Sequence, residues 1–336
     1  MTDDFIPRSG FRIRLITRRS RSSAKKPPQM WARLLVSFVL CFVLFEIGMR
    51  VAWPTALTSG GYPSRDIALK LEQIALRRDG SVVRPTIVLA GSSVTQRGID
   101  PMVIADSLGL GQHSVYNAGL RAATIEDTRI WLENFVMPTM KPKEVILGLS
   151  DFGLADARCT LCIDRSVAAD AWLGKAPAYA AFANRYSRTF RYRGTLRKPL
   201  VALDSTRTFD QENIENLDPD GYAPWESRVY SGDYMGALPP ADFAAGSKVL
   251  EDLVVWLQAQ DVRVVLVSMP VLKARDSPVY DKLVASWLSI ANRHGATLVQ
   301  PKLADYPAEL FADEVHLNAT GARRLSALIA QTKRNQ

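Results

Sequence analysis

From Leu34 to Phe45 the chain runs without a charged residue, and its apolar character continues through Ile47 and Met49 to Trp53. At about 1.5 Å per residue, a helix from Trp31 to Trp53 spans roughly 33 Å, about the apolar thickness of a bilayer. The two tryptophans then fall at the two interfaces, where amphipathic rings collect. The pattern predicts one membrane-crossing helix over residues 31–53. Glu46 sits near its outer end with Arg50 four residues on, a pair that can meet and snorkel to the interface.

Past Pro54 the long run gives way to short alternation. Thr86-Ile87-Val88-Leu89-Ala90 is continuous and apolar, as a strand buried on both faces should be. Ser114–Asn117, Glu144–Leu149, Val262–Val267 and Ala296–Val299 read as further strands. Helical spacing falls at 68–78, 124–136 (closed by Pro138), 241–260, 279–294 and 319–332. Asp100-Pro101, an N-cap followed by an N1 proline, opens a short helix toward Gly109. Strands separated by helices imply a parallel sheet with right-handed crossovers. From about 152 to 240 the alternation breaks, which reads as an insertion into a single domain over 54–336. It holds a basic-aromatic segment, Arg185 to Lys198.

Composition changes the picture once the charge is located. The 336 residues carry a formal net charge of +8. Most of it is in the tail 1–30, where eight cations face only Asp3 and Asp4. The remainder is near neutral, which argues against a nucleic-acid-binding face. A basic tail on one side of the span places the N-terminus in the cytoplasm and the domain outside it, periplasmic or otherwise extracytoplasmic, held by a signal anchor. The competing cleaved signal peptide would need a far shorter basic region and a small-x-small site before Pro54. Cys159 and Cys162 form a lone Cys-x-x-Cys with no further metal ligand nearby, so a local disulfide or two free thiols is the reading. No metal is implied, because no His/Asp cluster with ligand spacing appears, and no dinucleotide cofactor, because Gly91-Ser92-Ser93 lacks the glycine-rich phosphate turn.

Candidate chemistry collects at one sheet edge. In parallel sheets, sites form beyond the carboxyl ends of strands. Ser93 follows the first strand, Gly119 the second and Ser150 the third, while Asp313 and His316 lie after the last. A serine hydroxyl needs a base, and an imidazole needs a carboxylate to fix its tautomer. Of three histidines, His113 opens a strand and His294 ends a helix before Gly295, where a cation complements the dipole. His316 is left, with Asp313 three residues back.

Ile87-Val88-Leu89-Ala90-Gly91-Ser92-Ser93-Val94 resembles the first block of the SGNH/GDSL hydrolase superfamily, with Ser92 where the family often has Asp. Asn117-Ala118-Gly119 resembles the second block, and Asp313-Glu314-Val315-His316-Leu317-Asn318 the fifth. The resemblance spans roughly 85–333 and leaves 152–240 unmatched. It implies a flavodoxin-like three-layer α/β/α fold of about five parallel strands. It also implies Ser93 as nucleophile, His316 as base, Asp313 as its orienting carboxylate, and the N–H groups of Ser93 and Gly119 at the oxyanion. The third block departs from the pattern: Gly148-Leu149-Ser150-Asp151 puts the shorter Ser150 where the family has an oxyanion-donating Asn.

Membrane-anchored members of this superfamily imply a hydrolase or acyltransferase acting on acylated carbohydrate or another ester. A membrane-bound O-acyltransferase is the partner they imply, and acetyl groups of an envelope or exported polysaccharide the substrate. The alternatives are a catalytically silent, glycan-binding or scaffolding relative, whose contacts would include Tyr192, Arg193, Tyr222 and Trp225, and a lipase or thioesterase.

Overall fold

A short run with no polar side to leave in water suits a strand covered on both faces, and Ile87–Gly91 (β1) is one. The computed structural model describes residues 28–59, 64–155, 158–159, 161, 217–225, 229, 243–272 and 277–335. There β1 joins β2 (Val115–Asn117), β3 (Glu144–Leu149), β4 (Arg263–Ser268) and β5 (Thr297–Val299) in one sheet ordered β2-β1-β3-β4-β5. Every pairing is parallel; Ile87 lies opposite both Val115 and Glu144, Glu144 opposite Arg263, and Val265 opposite Thr297.

Successive side chains divide between two cores, which makes the three layers. Val88, Ala90, Val145, Leu147, Val264 and Leu266 pack with Trp131, Phe135, Leu250 and Trp287. Ile87, Leu89, Ile146, Val265 and Val267 pack with Ile104, Leu325 and Ile329. The first layer comes from α2 (Ser64–Arg78), α5 (Ile125–Trp131), α8 (Ala244–Gln258) and α9 (Pro278–His294). The second comes from α3 (Ser93–Gly98), α4 (Pro101–Ser107) and α10 (Ala319–Arg334). Two short helices, α6 (Met137–Met140) and α7 (Asp151–Ala155), complete the described set with α1 (Pro28–Ser59).

Most boundaries follow the sequence signals. Asp100 accepts from the Met102 and Val103 N–H groups ahead of α4, and Thr124 with Asp127 forms a capping box on α5. Pro138 does not close its helix as expected. A π-helical turn at Leu132–Val136 precedes it, with the Met137 N–H bonding Leu132 O five residues back. The altered ladder accommodates Pro138 near the start of α6 while the backbone stays helical through Val136 and Met137. The short α3 was not legible, because its residues from Val94 to Gly98 are all buried and carry no amphipathic period.

The contacts divide the chain into Met1–Ile47 and Gly48–Gln336, each with its own description. Within α1, Trp31–Gly48 has a mean hydropathy of 1.9 and none of it is buried. By length and composition it is able to cross a membrane. The tail 1–27, the Arg50 side chain and the Arg185–Lys198 segment lie outside the described residues, as does Cys162. Cys159 is disulfide-bonded.

Candidate active site

The strand order reverses direction at β1: the chain leaves it for β2 on one side and returns to β3 on the other. Such a switch point opens a crevice beyond the strand ends. Gly91 ends β1 with φ +145, and a Cβ there would lie 2.6 Å from Gly148 O and 2.3 Å from Thr95 Oγ1. Only glycine allows the chain to turn so tightly out of the sheet. Ser93 is then the first residue of α3, half-buried, with an N–H that has no intrahelical acceptor.

His316 comes from the far end of the chain. The segment before α10 is pinned by Asn318, which accepts from the Thr320 and Gly321 N–H groups and donates to Glu309 O. An isolated bridge between Phe311 and Leu317 closes the loop between them. Within it Asp313 Oδ1 accepts from the N–H groups of Val315 and His316 at 2.9 and 2.8 Å. The same carboxylate meets His316 Nδ1, at 2.9 Å from Oδ2. His316 Nε2 lies 2.9 Å from Ser93 Oγ. Burial alone would raise the Asp313 carboxyl, but the hydrogen bond and charge of His316, with the two amides, hold it below the usual carboxylate value. A hydroxyl on an imidazole whose other nitrogen faces a fixed carboxylate can give up its proton to that imidazole.

A cavity of about 340 Å³ opens on this row. Ser93, Val94, Ala122, Ser150, Val315 and His316 are among its walls, together with three charged side chains, Arg97, Arg121 and Asp151. Ser150 is 3% exposed, and its Oγ has no hydrogen-bond partner among the described residues. A buried hydroxyl without a partner costs free energy, so one facing a cavity is ready to donate to whatever enters.

Gly119 is placed differently from the expectation. Its N–H donates to Asn117 Oδ1 at 3.0 Å, and it is not among the residues lining the cavity. Its lack of a side chain serves close packing, since a Cβ would sit 2.8 Å from Gln96 N. Three residues on, Ala122 does line the cavity, in the left-handed region at φ 53. No hydrogen bond from the Ala122 N–H occurs among the described residues. Sequence reasoning missed Ala122 because alanine seldom adopts positive φ, and nothing local marks it.

Trp225 is the described part of the insertion that reaches the cavity. Its carbonyl accepts from the Ala319 N–H at 3.2 Å, tying the segment to the start of α10. Its ring meets His316 edge-on at 5.0 Å between centroids. The Arg97 guanidinium stacks 3.8 Å above the same ring. Tyr222, by contrast, is 5% exposed and belongs to the packing.

The helix α2 braces the site from behind. Asp66 accepts from Gln96 Nε2 at 2.8 Å and from the Arg121 N–H at 3.3 Å. Lys70 Nζ donates to Asn117 O at 2.6 Å and to Gly221 O at 2.9 Å. Burial pushes the Lys70 ammonium down to about 8, against the attraction of Asp66 and Asp218. His113 pairs with Asp220 and His294 with Glu251, each at 2.8 Å, and neither lines the cavity.

No family model matches the sequence, and no curated protein matches it. Distant likenesses to solved structures exist. TesA is 13% identical, with 74% of this chain and 98% of that one covered and a TM-score of 0.41. A GDSL-like lipase from Bacteroides thetaiotaomicron VPI-5482 is 10% identical over 79% and 97%, at 0.35. A catalytic mutant of Axe2, an acetylxylan esterase from Geobacillus stearothermophilus, is 14% identical over 73% and 92%, at 0.39. At such scores the chemistry of this site is carried by its own geometry.

Proposed function

We propose that the chain is a membrane-anchored serine esterase or O-acyltransferase working through an acyl-enzyme. The observation that carries this reading is the row Ser93 Oγ, His316 Nε2 and Nδ1, Asp313, joined by two contacts of 2.9 Å. Ser93 Oγ attacks the acyl carbon as its proton passes to His316 Nε2. The tetrahedral intermediate collapses with cleavage of the ester C–O bond, and His316 returns the proton to the departing alkoxide. A second hydroxyl, of water or of a sugar, then gives its proton to His316 and attacks the acyl carbon; the bond to Ser93 Oγ breaks, and His316 returns the proton to that oxygen. Asp313 holds the imidazole in orientation and balances its charge while it is protonated.

The oxyanion is assigned to the N–H of Ser93 and the Ser150 hydroxyl, with the Ala122 N–H rather than that of Gly119 as the further donor. Free donors around a reacting oxygen stabilise charge as it develops. Val94, Ala122 and Val315 are aliphatic members of the cavity wall among the described residues. Trp225 in the wall supports a carbohydrate acceptor, and the exposed apolar stretch Trp31–Gly48 supports an anchor. A disulfide at Cys159 suits a domain outside the cytoplasm, where the substrate would be an envelope or exported polysaccharide. A membrane-bound O-acyltransferase would be the partner if the acyl group is handed across the membrane.

The test is covalent. The full-length protein in detergent is treated with a fluorescent fluorophosphonate, which labels activated serines. Labelling of the wild type and none of Ser93→Ala is the expected result. Equal labelling of both, or none of either, sinks the proposal.

A further inference from the structure

Between the nucleophile and the base stands a ring to which acyl transfer gives no part. Trp225 is half-buried in the cavity wall. Its ring meets His316 at 5.0 Å between centroids with an interplanar angle of 81°. The guanidinium carbon of Arg97 lies 3.8 Å from the centre of the same ring. Arg97 follows Ser93 by four residues in α3, so the indole links the helix that carries the nucleophile to the loop that carries the base. Arg97 is buried and enters here as a support for the ring.

The segment that brings Trp225 to this position is fastened along its length. Lys70 and Arg77 of α2 hold it through Gly221 O and the Asp220 carboxylate, at 2.9 and 2.8 Å. Asp220 O accepts from the Asn117 N–H at 2.7 Å, and the Ala223 N–H donates to Gln96 O of α3 at 3.3 Å. Gly221 has φ +80, and a Cβ there would lie 2.2 Å from Asn117 O, so the close approach needs glycine. At the end of the segment Trp225 O accepts from the Ala319 N–H, three residues past His316. An indole tied by its backbone to α10 and stacked on Arg97 has little freedom to move.

His316 needs a fixed neighbour of this kind. Its two nitrogens are committed to Asp313 and Ser93. Hydrogen bonds tolerate a broad range of angles, so this pair only weakly opposes a tilt of the ring about the line joining the nitrogens. A perpendicular aromatic neighbour opposes it more directly, because the match of a positive ring edge to a negative ring face is lost as either ring turns. We propose that Trp225 is a positioning residue for His316, holding the imidazole in the orientation that spans Ser93 and Asp313. The inference rests on the serine esterase reading and adds to it the residue outside the triad that keeps the base aligned.

Hydrolysis of 4-nitrophenyl acetate by the full-length protein in detergent tests this with water as acceptor, so that contacts of Trp225 with a sugar play no part. Trp225→Ala is expected to lower kcat about tenfold to 10²-fold with KM within about twofold of the wild type, as small misplacements of a reacting group do. Trp225→Phe keeps a ring and recovers most of the loss, whereas Trp225→Leu, apolar but without a ring, does not. In protein carrying isotope-labelled histidine, the low-field Nδ1–H signal of His316 is assigned by its absence in His316→Ala. That signal is expected to persist in Trp225→Phe and to broaden or vanish in Trp225→Ala, a change that loss of packing elsewhere would not produce. A kcat within about twofold of the wild type in a folded Trp225→Ala, a loss carried by KM alone, or an unchanged His316 signal overturns this inference and leaves the esterase reading standing. Should Trp225→Ala not fold, equal kcat in Trp225→Leu and Trp225→Phe overturns it instead. Absence of wild-type turnover together with absence of fluorophosphonate labelling removes the esterase reading itself.

Discussion

Ser93 Oγ and His316 Nε2 lie 2.9 Å apart although 223 positions separate them in the chain. The contact exists because β1 delivers Ser93 to the carboxyl edge of the sheet and the loop before α10 delivers His316 to the same edge. Ser93→Ala and His316→Ala are each expected to lower kcat by about 10⁴–10⁶, with the fold unchanged by circular dichroism. A loss of less than tenfold in either would remove that residue from the chemistry.

Asp313 keeps its charge because His316 and two amides outweigh the effect of burial. Its folded pKa lies below its unfolded one, so its contribution to stability is present at neutral pH and is lost as pH falls through the lowered value. Asp313→Asn should leave KM nearly unchanged and reduce kcat by about 10²–10⁴, since the amide cannot balance an imidazolium. Its melting temperature should converge on that of the wild type in acid. A KM effect larger than the kcat effect would point to substrate binding instead.

Ser150 lines the cavity, and its hydroxyl has no hydrogen-bond partner among the described residues. If it donates to the oxyanion, Ser150→Ala lowers kcat by roughly tenfold to 10²-fold at constant KM. Removing an unsatisfied buried hydroxyl leaves stability unchanged or slightly raised. A twofold change or less in kcat would assign the oxyanion to backbone donors alone.

Asp66 does not line the cavity, yet its carboxylate holds Gln96 of α3 and the N–H of Arg121, which does. Asp66→Ala strands two donors, at an expected cost of about 1–3 kcal/mol in stability. Because the Arg121–Ala122 turn loses its anchor, kcat should fall as well, with partial recovery in Asp66→Asn. Full activity in a destabilised Asp66→Ala would reduce its role to packing.

Asp218 is a carboxyl that burial pushes up to about 6, with the Tyr222 N–H and Lys70 opposing and Asp220 adding to the rise. The folded state therefore holds this proton at pH values where the unfolded chain has lost it. The resulting stability is present in acid and is lost as pH rises through about 6. Asp218→Asn keeps an acceptor for the Tyr222 N–H and removes the charge. It should raise stability by about 1–2 kcal/mol above pH 6, with the difference closing below pH 4. Lower stability at pH 7 would mean that the attraction to Lys70 dominates.

The sheet was legible because parallel strands buried on both faces are written as unbroken apolar runs, and all five expected runs are strands within a residue or two. The Asp100 cap was legible because a side chain does the capping ahead of an N1 proline, whereas the Asn318 cap emerged only in the structure. Pro138 misled, because a proline is read as a stop unless the ladder before it changes period, and a π-turn has no local signature. Gly119 misled for a related reason. A glycine suits a close approach of backbone to ligand, but here it accommodates Gln96 instead, and the left-handed residue on the cavity is Ala122.

Periodicity, charge placement and residue type, all local properties, were enough to settle the α/β class, the apolar span and the candidacy of Ser93, Asp313 and His316. Distances between segments are not local. Whether His316 reaches Ser93, which residue of the 117–122 turn faces the cavity, and that Trp225, Arg97 and Arg121 share its wall depend on packing among α2, α3, the insertion and the loop before α10. Those contacts are made by side chains whose partners lie tens to hundreds of positions away, so only the folded chain brings them within hydrogen-bond range.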